Sequence, residues 1–206
     1  RLWSYRNCGR AKTGLWYEHA RMGHNHRLGE FQGAVLRSQL NRLAAQCRTR
    51  QRNYDLFLKK TAGIPGLAAR KPRPDAAQRC LSVFILTFTG EGWEGLHRDV
   101  VLEALRAEGV PATLGYGWAN YRNPAFLNMQ KELGHRAFAF GVKQFPDWLQ
   151  YAERCPATER ACRERALFMP HALLLGSEAD TQMLADAFAK VYEHRAELKQ
   201  RKQGGA

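Results

Sequence analysis

Glu30-Phe31-Gln32-Gly33-Ala34-Val35-Leu36-Arg37-Ser38-Gln39-Leu40-Asn41-Arg42-Leu43 opens the longest periodic run of the chain. Phe31, Val35, Leu40, Leu43, Cys47, Tyr54 and Phe57 recur at three- or four-residue steps with small slips, and polar side chains fill the positions between them. The spacing predicts one helix from about Glu30 to Thr61, stopped by Gly63-Ile64-Pro65-Gly66. At about 1.5 Å per residue it would be roughly 45 Å long. One small core does not cover such a length, so the helix is expected to bridge domains or subunits.

Outward from it, residues 1–29 are aromatic, basic and glycine-punctuated without a sustained period, and read as loop-rich. On the other side, residues 67–79 hold Pro72 and Pro74 among charges and read as a linker. Leu81 to Phe88 is short, apolar and rich in β-branched and aromatic residues, as a buried strand is. Leu96 to Glu108 places Val101, Leu102 and Leu105 on one helical face and ends at Gly109. Val110 to Gly117 is expected as a second strand, leading into an aromatic loop from Trp118 to Pro124. Phe126 to Glu153 has no clear period. Cys155 to Arg165 reads as a polar helix, and Ala166 to Leu175 as a third strand interrupted near Pro170. Ser177-Glu178-Ala179-Asp180 is a capping-box pattern before a final helix carrying Leu184, Ala187, Phe188 and Val191. The tail from Lys199 is expected to fray. The sum is an α/β arrangement, a long helix followed by a small α/β domain.

The 206 residues suffice for one domain, or one domain and part of another. The first residue is Arg1 and not methionine, which leads to the expectation of a chain from within a longer protein. No run approaches the roughly 20 apolar residues of a membrane helix, and the start does not read as a signal peptide. Cys8, Cys47, Cys80, Cys155 and Cys162 are scattered and odd in number. They are expected as reduced, mostly buried thiols of a cytoplasmic protein, with neither a disulfide framework nor a zinc site. His19, His24 and His26 cluster without a cysteine or carboxylate to complete a metal spacing. The net charge of +13 raises nucleic acid as a partner. The basic residues are dispersed, however: Arg37, Arg42, Arg48, Arg50 and Arg52 read as the polar side of the long helix, which disfavours that reading.

Gly23-His24-Asn25-His26-Arg27-Leu28-Gly29-Glu30-Phe31-Gln32-Gly33-Ala34 closely resembles the Gly-x-Asn-x-Arg-x-x-Glu-x-Gln-Ala-Ala stretch of the DegT/DnrJ/StrS family. Gln39-Leu40-Asn41-Arg42-Leu43, Arg98-Asp99, Leu105-Arg106-Ala107-Glu108-Gly109-Val110-Pro111, Gly115-Tyr116, Tyr121-Arg122-Asn123-Pro124-Ala125-Phe126 and Leu173-Leu174-Leu175-Gly176 continue the likeness in order. Each piece is weak alone; the ordered set is strong. The resemblance implies the C-terminal portion of a fold-type-I, pyridoxal-phosphate (PLP) dependent transferase. Residues 1–29 would be a remnant of the large PLP-binding domain, 30–62 the connecting helix and 63–206 the small domain.

The implied reaction moves an amino group from glutamate or glutamine to a nucleotide-linked keto sugar or a cyclitol, at the interface of a homodimer. Asn25 would reach the cofactor phosphate of the neighbouring subunit, a task that suits an amide donor; its other reading is a turn cap. Arg27 would support that phosphate or a substrate carboxylate, or pair with Glu30. Tyr116, Tyr121 and Arg122 fall where the family contacts substrate, although many members carry histidine at the position of Tyr121. Trp118 and Tyr121 read equally as core or surface aromatics. The Schiff-base lysine of the family precedes a stretch resembling Leu2 to Gly9, so Lys12 is out of place and this chain is expected to lack the catalytic lysine. A sugar dehydratase of the same family, or a basic nucleic-acid-binding module, are the alternatives.

Overall fold

The computed structural model describes residues 1–13, 19–20, 23–69, 80–128 and 149–203. It divides into two compact units, Arg1–Gln46 and Cys47–Ala206. Helix α2, Glu30–Lys60, is continuous through the division. The periodic reading of this stretch therefore stands.

The unit Cys47–Ala206 is built on the second half of α2, whose Cys47, Arg50, Asn53, Tyr54 and Phe57 are buried. A three-stranded antiparallel sheet follows, β1 (Leu67–Ala69), β2 (Val83–Phe88) and β3 (Ala166–Pro170), with β2 central. Alternation along β2 puts Phe84, Leu86 and Phe88 in the core. Helices α3 (Arg98–Ala107) and α7 (Glu178–Glu193) bury Val101, Leu102 and Leu105, and Leu184, Ala185, Phe188 and Val191 respectively. Phe57, fully buried, meets Phe84 and Phe188 edge-on at centroid distances of 5.1 and 5.3 Å. Trp93 closes the other end: its indole N–H donates to the Pro65 carbonyl at 2.7 Å, and its ring meets Phe88 and Tyr192.

The shorter pieces are α4 (Pro124–Leu127), α5 (Gln150–Arg154), α6 (Pro156–Arg160), a π-helical turn Ala161–Arg165, a 3-10 turn His171–Leu175 and α8 (Arg195–Gln203). The capping box is present, Ser177 Oγ accepting from the Asp180 N–H at 3.1 Å while Asp180 Oδ2 accepts from the Ser177 N–H at 2.7 Å.

Several expectations are corrected. Val110 to Gly117 is not a strand. Only Thr113 bridges, to Phe168, because the chain turns away at Gly115, whose φ is +74°. The third strand ends at Pro170, which lacks an N–H for the ladder, and Leu173–Leu175 belong to the 3-10 turn. Leu67–Ala69 of the expected linker pairs with β2, whereas 70–79 lie outside the described residues. Leu2–Arg6, read as loop, forms the short helix α1 with Ser4 buried. Lys199–Gln203 of the tail expected to fray belongs to α8, in a segment of strong helix formers, and 204–206 lie outside the described residues. Only Cys47 of the five cysteines is buried, and Arg50, read as solvent-facing, is 6% exposed. Among the described residues no helix is long and apolar enough to cross a membrane.

Asn53 is the buried polar link of this unit, its Nδ2 donating to the carbonyls of Leu174 at 3.0 Å and Gly176 at 2.8 Å. Asn53→Ala leaves both acceptors without that donor and is expected to cost about 2 kcal/mol of unfolding free energy, measured by urea titration. A change below about 0.5 kcal/mol would mean that the two carbonyls find other partners.

Candidate functional site

In the unit Arg1–Gln46 the Gly23–Gly29 segment is laid against the turn after α1. Asn7 and Asn25 form an antiparallel bridge, as do Arg10 and His19. The Cys8 N–H donates to the His24 carbonyl at 3.0 Å, and the His24 and His26 N–H groups donate to the carbonyls of Tyr5 at 2.8 Å and Arg6 at 2.9 Å. Gly23 is required by this approach, since a Cβ there would sit 2.8 Å from the Tyr5 carbonyl oxygen and closer still to the Gly9 nitrogen. His24 and His26 lie together, ring centroids 5.2 Å apart.

Asn25 and Arg27 are both exposed. Arg27 Nε donates to Asn7 Oδ1 at 2.9 Å, and Nη2 donates to the same oxygen. Asn7 is thus the residue that orients Arg27, in place of the considered Glu30. The sequence reading missed it because Arg27 lies 20 residues further along the chain. The NH2 of Asn25 and the remaining guanidinium edge of Arg27 can both donate to an anion, which is the chemistry a phosphate requires. Lys12 lies in the loop beyond Arg10 and is exposed.

In the unit Cys47–Ala206 the structure sorts the expected substrate-side residues into two groups. Tyr116 is 84% exposed and rests edge-on against Phe168 at 5.9 Å. Gly115 makes that seat possible, since a Cβ there would be 2.6 Å from the Phe168 ring. Tyr121 and Arg122 converge on Glu159 of α6. The Tyr121 hydroxyl donates to Oε1 at 2.8 Å, and Arg122 Nε donates to Oε1 at 2.8 Å and to Oε2 at 3.0 Å. Arg163 Nε lies 3.4 Å from Oε2. Tyr121 also stacks on Tyr151, and Trp118 is exposed.

Glu159 is the residue sequence reasoning did not find, sitting unmarked in a polar helical stretch. The hydrogen bond from Arg122 holds its carboxyl below the usual glutamate range against the opposing effect of burial. Burial first, then the hydrogen bond to Glu159, pushes the Tyr121 phenol up to about 12. Tyr121 is therefore a neutral hydrogen-bond donor at physiological pH. Among the described residues no three His, Cys, Asp or Glu side chains gather to hold a metal ion.

The signs follow from these directions. Glu159 is depressed in the folded state, so its contribution to stability holds at neutral pH and is lost as pH falls through and below the ordinary glutamate value of about 4.3. Tyr121 is raised, so its contribution is full below about 10 and lost as pH rises toward about 12. Glu159→Gln is expected to lower the Tyr121 titration measured by tyrosinate absorbance, without bringing it to 10, because burial remains. An unmoved titration would refute the Glu159 contact in solution.

Residues 1–140 match the model of the DegT/DnrJ/EryC1/StrS aminotransferase family. The L-glutamine:2-deoxy-scyllo-inosose aminotransferase of Streptoalloteichus tenebrarius is 34% identical over 180 residues, covering 86% of this chain and 41% of that protein. The 3-amino-5-hydroxybenzoate synthase of Amycolatopsis mediterranei is 30% identical over 188 residues, covering 89% and 44%. The crystal structure of a 3-amino-5-hydroxybenzoic acid synthase superposes with a TM-score of 0.71 at 25% identity, covering 93% of this chain and 46% of that one. The chain thus spans less than half the length of these relatives, and its architecture is the C-terminal portion of a fold-type-I PLP-dependent transferase. With the family's motifs in order from Gly23 to Phe126 and its model matched over residues 1–140, this chain belongs to the DegT/DnrJ/EryC1/StrS aminotransferase family.

Proposed function

We propose that this chain is the C-terminal part of a cytoplasmic, homodimeric PLP enzyme that moves the amino group of glutamine to a keto cyclitol, or to a keto sugar of the same shape. The observation that carries the reading is the similarity, over 86% of the chain, to an aminotransferase named for glutamine and 2-deoxy-scyllo-inosose. Residues 1–29 are the end of the large domain, 30–62 the connecting helix and 63–206 the small domain.

Asn25 and Arg27 hold the phosphate of PLP across the two-fold axis, the cofactor supplying the electron sink for amino transfer when bound. Their fit rests on their own chemistry, two exposed donor groups on a backbone clamped at Gly23. Asn7 fixes the plane of the Arg27 guanidinium, which lowers the entropy lost when the anion arrives. On the substrate side, Tyr116 offers an exposed ring face for the apolar side of a cyclitol ring. Glu159 anchors Tyr121 and Arg122 at that side, so the two reach toward ring hydroxyls from one fixed carboxylate. The family's attachment lysine, which would hold the cofactor and move a proton between carbon atoms, is not among the residues that match the family motifs here, and in this reading the chain alone does not catalyse.

Three measurements test this. With the enzyme that contains this chain, glutamine labelled with 15N at the α-amino group is expected to deliver label to a keto cyclitol. Loss of a hydroxyl without label transfer would instead mean dehydration chemistry, and no reaction with either substrate class would overturn the reading. In that enzyme Asn25→Ala is expected to weaken PLP retention roughly tenfold, the loss of one charge-assisted hydrogen bond. For the chain itself, borohydride reduction in the presence of PLP should leave no stoichiometric lysine adduct; a single adduct at Lys12 would show that it carries its own attachment lysine.

A further inference from the structure

Cys47 lies on the buried face of α2, 2% exposed, and Cys80 is the exposed residue shortly before β2. Their Sγ atoms are 3.0 Å apart, about 1 Å beyond the roughly 2.0 Å length of a disulfide bond. Cys8, Cys155 and Cys162 are free and partly exposed. A third group completes the site. Arg50, one turn along α2, is 6% exposed, and its Nη2 lies 3.3 Å from Cys47 Sγ. Its Nε has no hydrogen-bond partner among the described residues. Among the described residues no carboxylate pairs with Arg50; a guanidinium removed from water without one is costly, and a thiolate is the anion this site offers it.

We propose that Cys47 and Cys80 form a reversible dithiol–disulfide site, oxidised by a low-molecular-weight disulfide of the glutathione class. Hydrogen bonds from the Cys80 thiol and then from Arg50 hold the Cys47 thiol below its ordinary value. Donation to Cys47 and then burial push the Cys80 thiol up. The roles follow from exposure and charge. Cys80, reachable from solvent, loses its proton to water and attacks one sulfur of the small disulfide, whose S–S bond breaks and releases one thiol. Cys47, buried with Arg50 Nη2 3.3 Å from its sulfur to support negative charge there, loses its proton and attacks Cys80 Sγ. The protein S–S bond forms as the second small thiol leaves and is protonated. Two cysteines are oxidised, one small disulfide is reduced, and the balance needs no other reactant. The new bond ties α2 to the entry of β2 and encloses residues 48–79 in a covalent loop.

The test uses the unmodified chain. It is equilibrated at graded ratios of reduced to oxidised glutathione, alkylated under denaturing conditions, digested with trypsin and mapped by mass. The expected product is peptide 43–48 linked to peptide 80–98, about 2 Da lighter than the two free peptides together, with Cys8, Cys155 and Cys162 alkylated. The linked form should melt at least ~5 °C higher than the reduced one, and dithiothreitol should reverse both changes. Alkylation of Cys47 at every ratio overturns the proposal, whether Cys80 is then free or carries glutathione. Linkage of either residue to Cys8, Cys155 or Cys162 overturns it equally. None of these outcomes bears on amino transfer, so this site and the proposed reaction stand or fall separately.

Discussion

The ring of Phe57, set between Phe84 of the sheet and Phe188 of α7, is the contact on which the Cys47–Ala206 unit depends. A three-stranded sheet offers one narrow apolar face, and here that face is the alternation Phe84, Leu86 and Phe88 of the central strand together with Leu167 and Met169 of β3. Full burial of an aromatic side chain of this size contributes about 2–3 kcal/mol. Phe57, Phe84 and Phe188 are each fully buried and meet edge to face, which adds directional preference to the apolar gain. One turn earlier on the same helix face, Asn53 collects the carbonyls of Leu174 and Gly176. The helix therefore positions both the sheet and the turn that delivers Ser177 to the start of α7.

The residues proposed to face substrate derive their positions from that frame at second hand. β3 pairs with β2 through Phe84↔Met169 and Ile85↔Phe168, and Phe168 also exchanges two backbone hydrogen bonds with Thr113. Its ring then seats Tyr116 through the close approach at Gly115. Arg98, 3% exposed, holds the π-helical turn by donating to the Cys162 carbonyl at 2.8 Å. That turn continues α6, which carries Glu159. Arg98-Asp99 in the family likeness is thus explained as scaffold, the arginine tying α3 to the segment that anchors Tyr121 and Arg122.

Elements with a strong local signal were legible from the residues. The long helix, the central strand, α3 and the capping box of α7 each follow from periodicity, β-branched content or cap chemistry. Strand-like composition misled at Val110 to Gly117, where two glycines with φ of +74° and +75° turn the backbone. Asn7 and Glu159 were not legible, because each matters only through a partner 20 or more residues away, Arg27 in one case and Arg122 and Tyr121 in the other. Asn25 and Arg27 were legible only through the likeness to a family, since an exposed asparagine and arginine on an extended segment carry no signal of their own.

Taking apolar residues alone, the long helix showed slips between Val35, Leu40 and Tyr54. Leu36, Leu40, Leu43, Cys47, Arg50, Tyr54, Phe57 and Thr61, by contrast, follow one another at alternating steps of four and three. A helical stripe with that spacing has no slip. Its members from Cys47 onward are all buried: Cys47, Arg50, Tyr54, Phe57 and Thr61. The charge of Arg50 suggests a solvent-facing cation, whereas its phase puts it inside. Thr61 satisfies its buried hydroxyl locally, donating to the Phe57 carbonyl at 2.9 Å, as a threonine on a helix can. Arginine has no such local solution, so its presence at a buried phase requires an acceptor near the same face. The sulfur of Cys47, one turn back on that stripe, is the acceptor the structure provides. Helical phase thus outranks residue polarity when the two disagree, and a charged residue in phase with a core marks a site whose partner remains to be found.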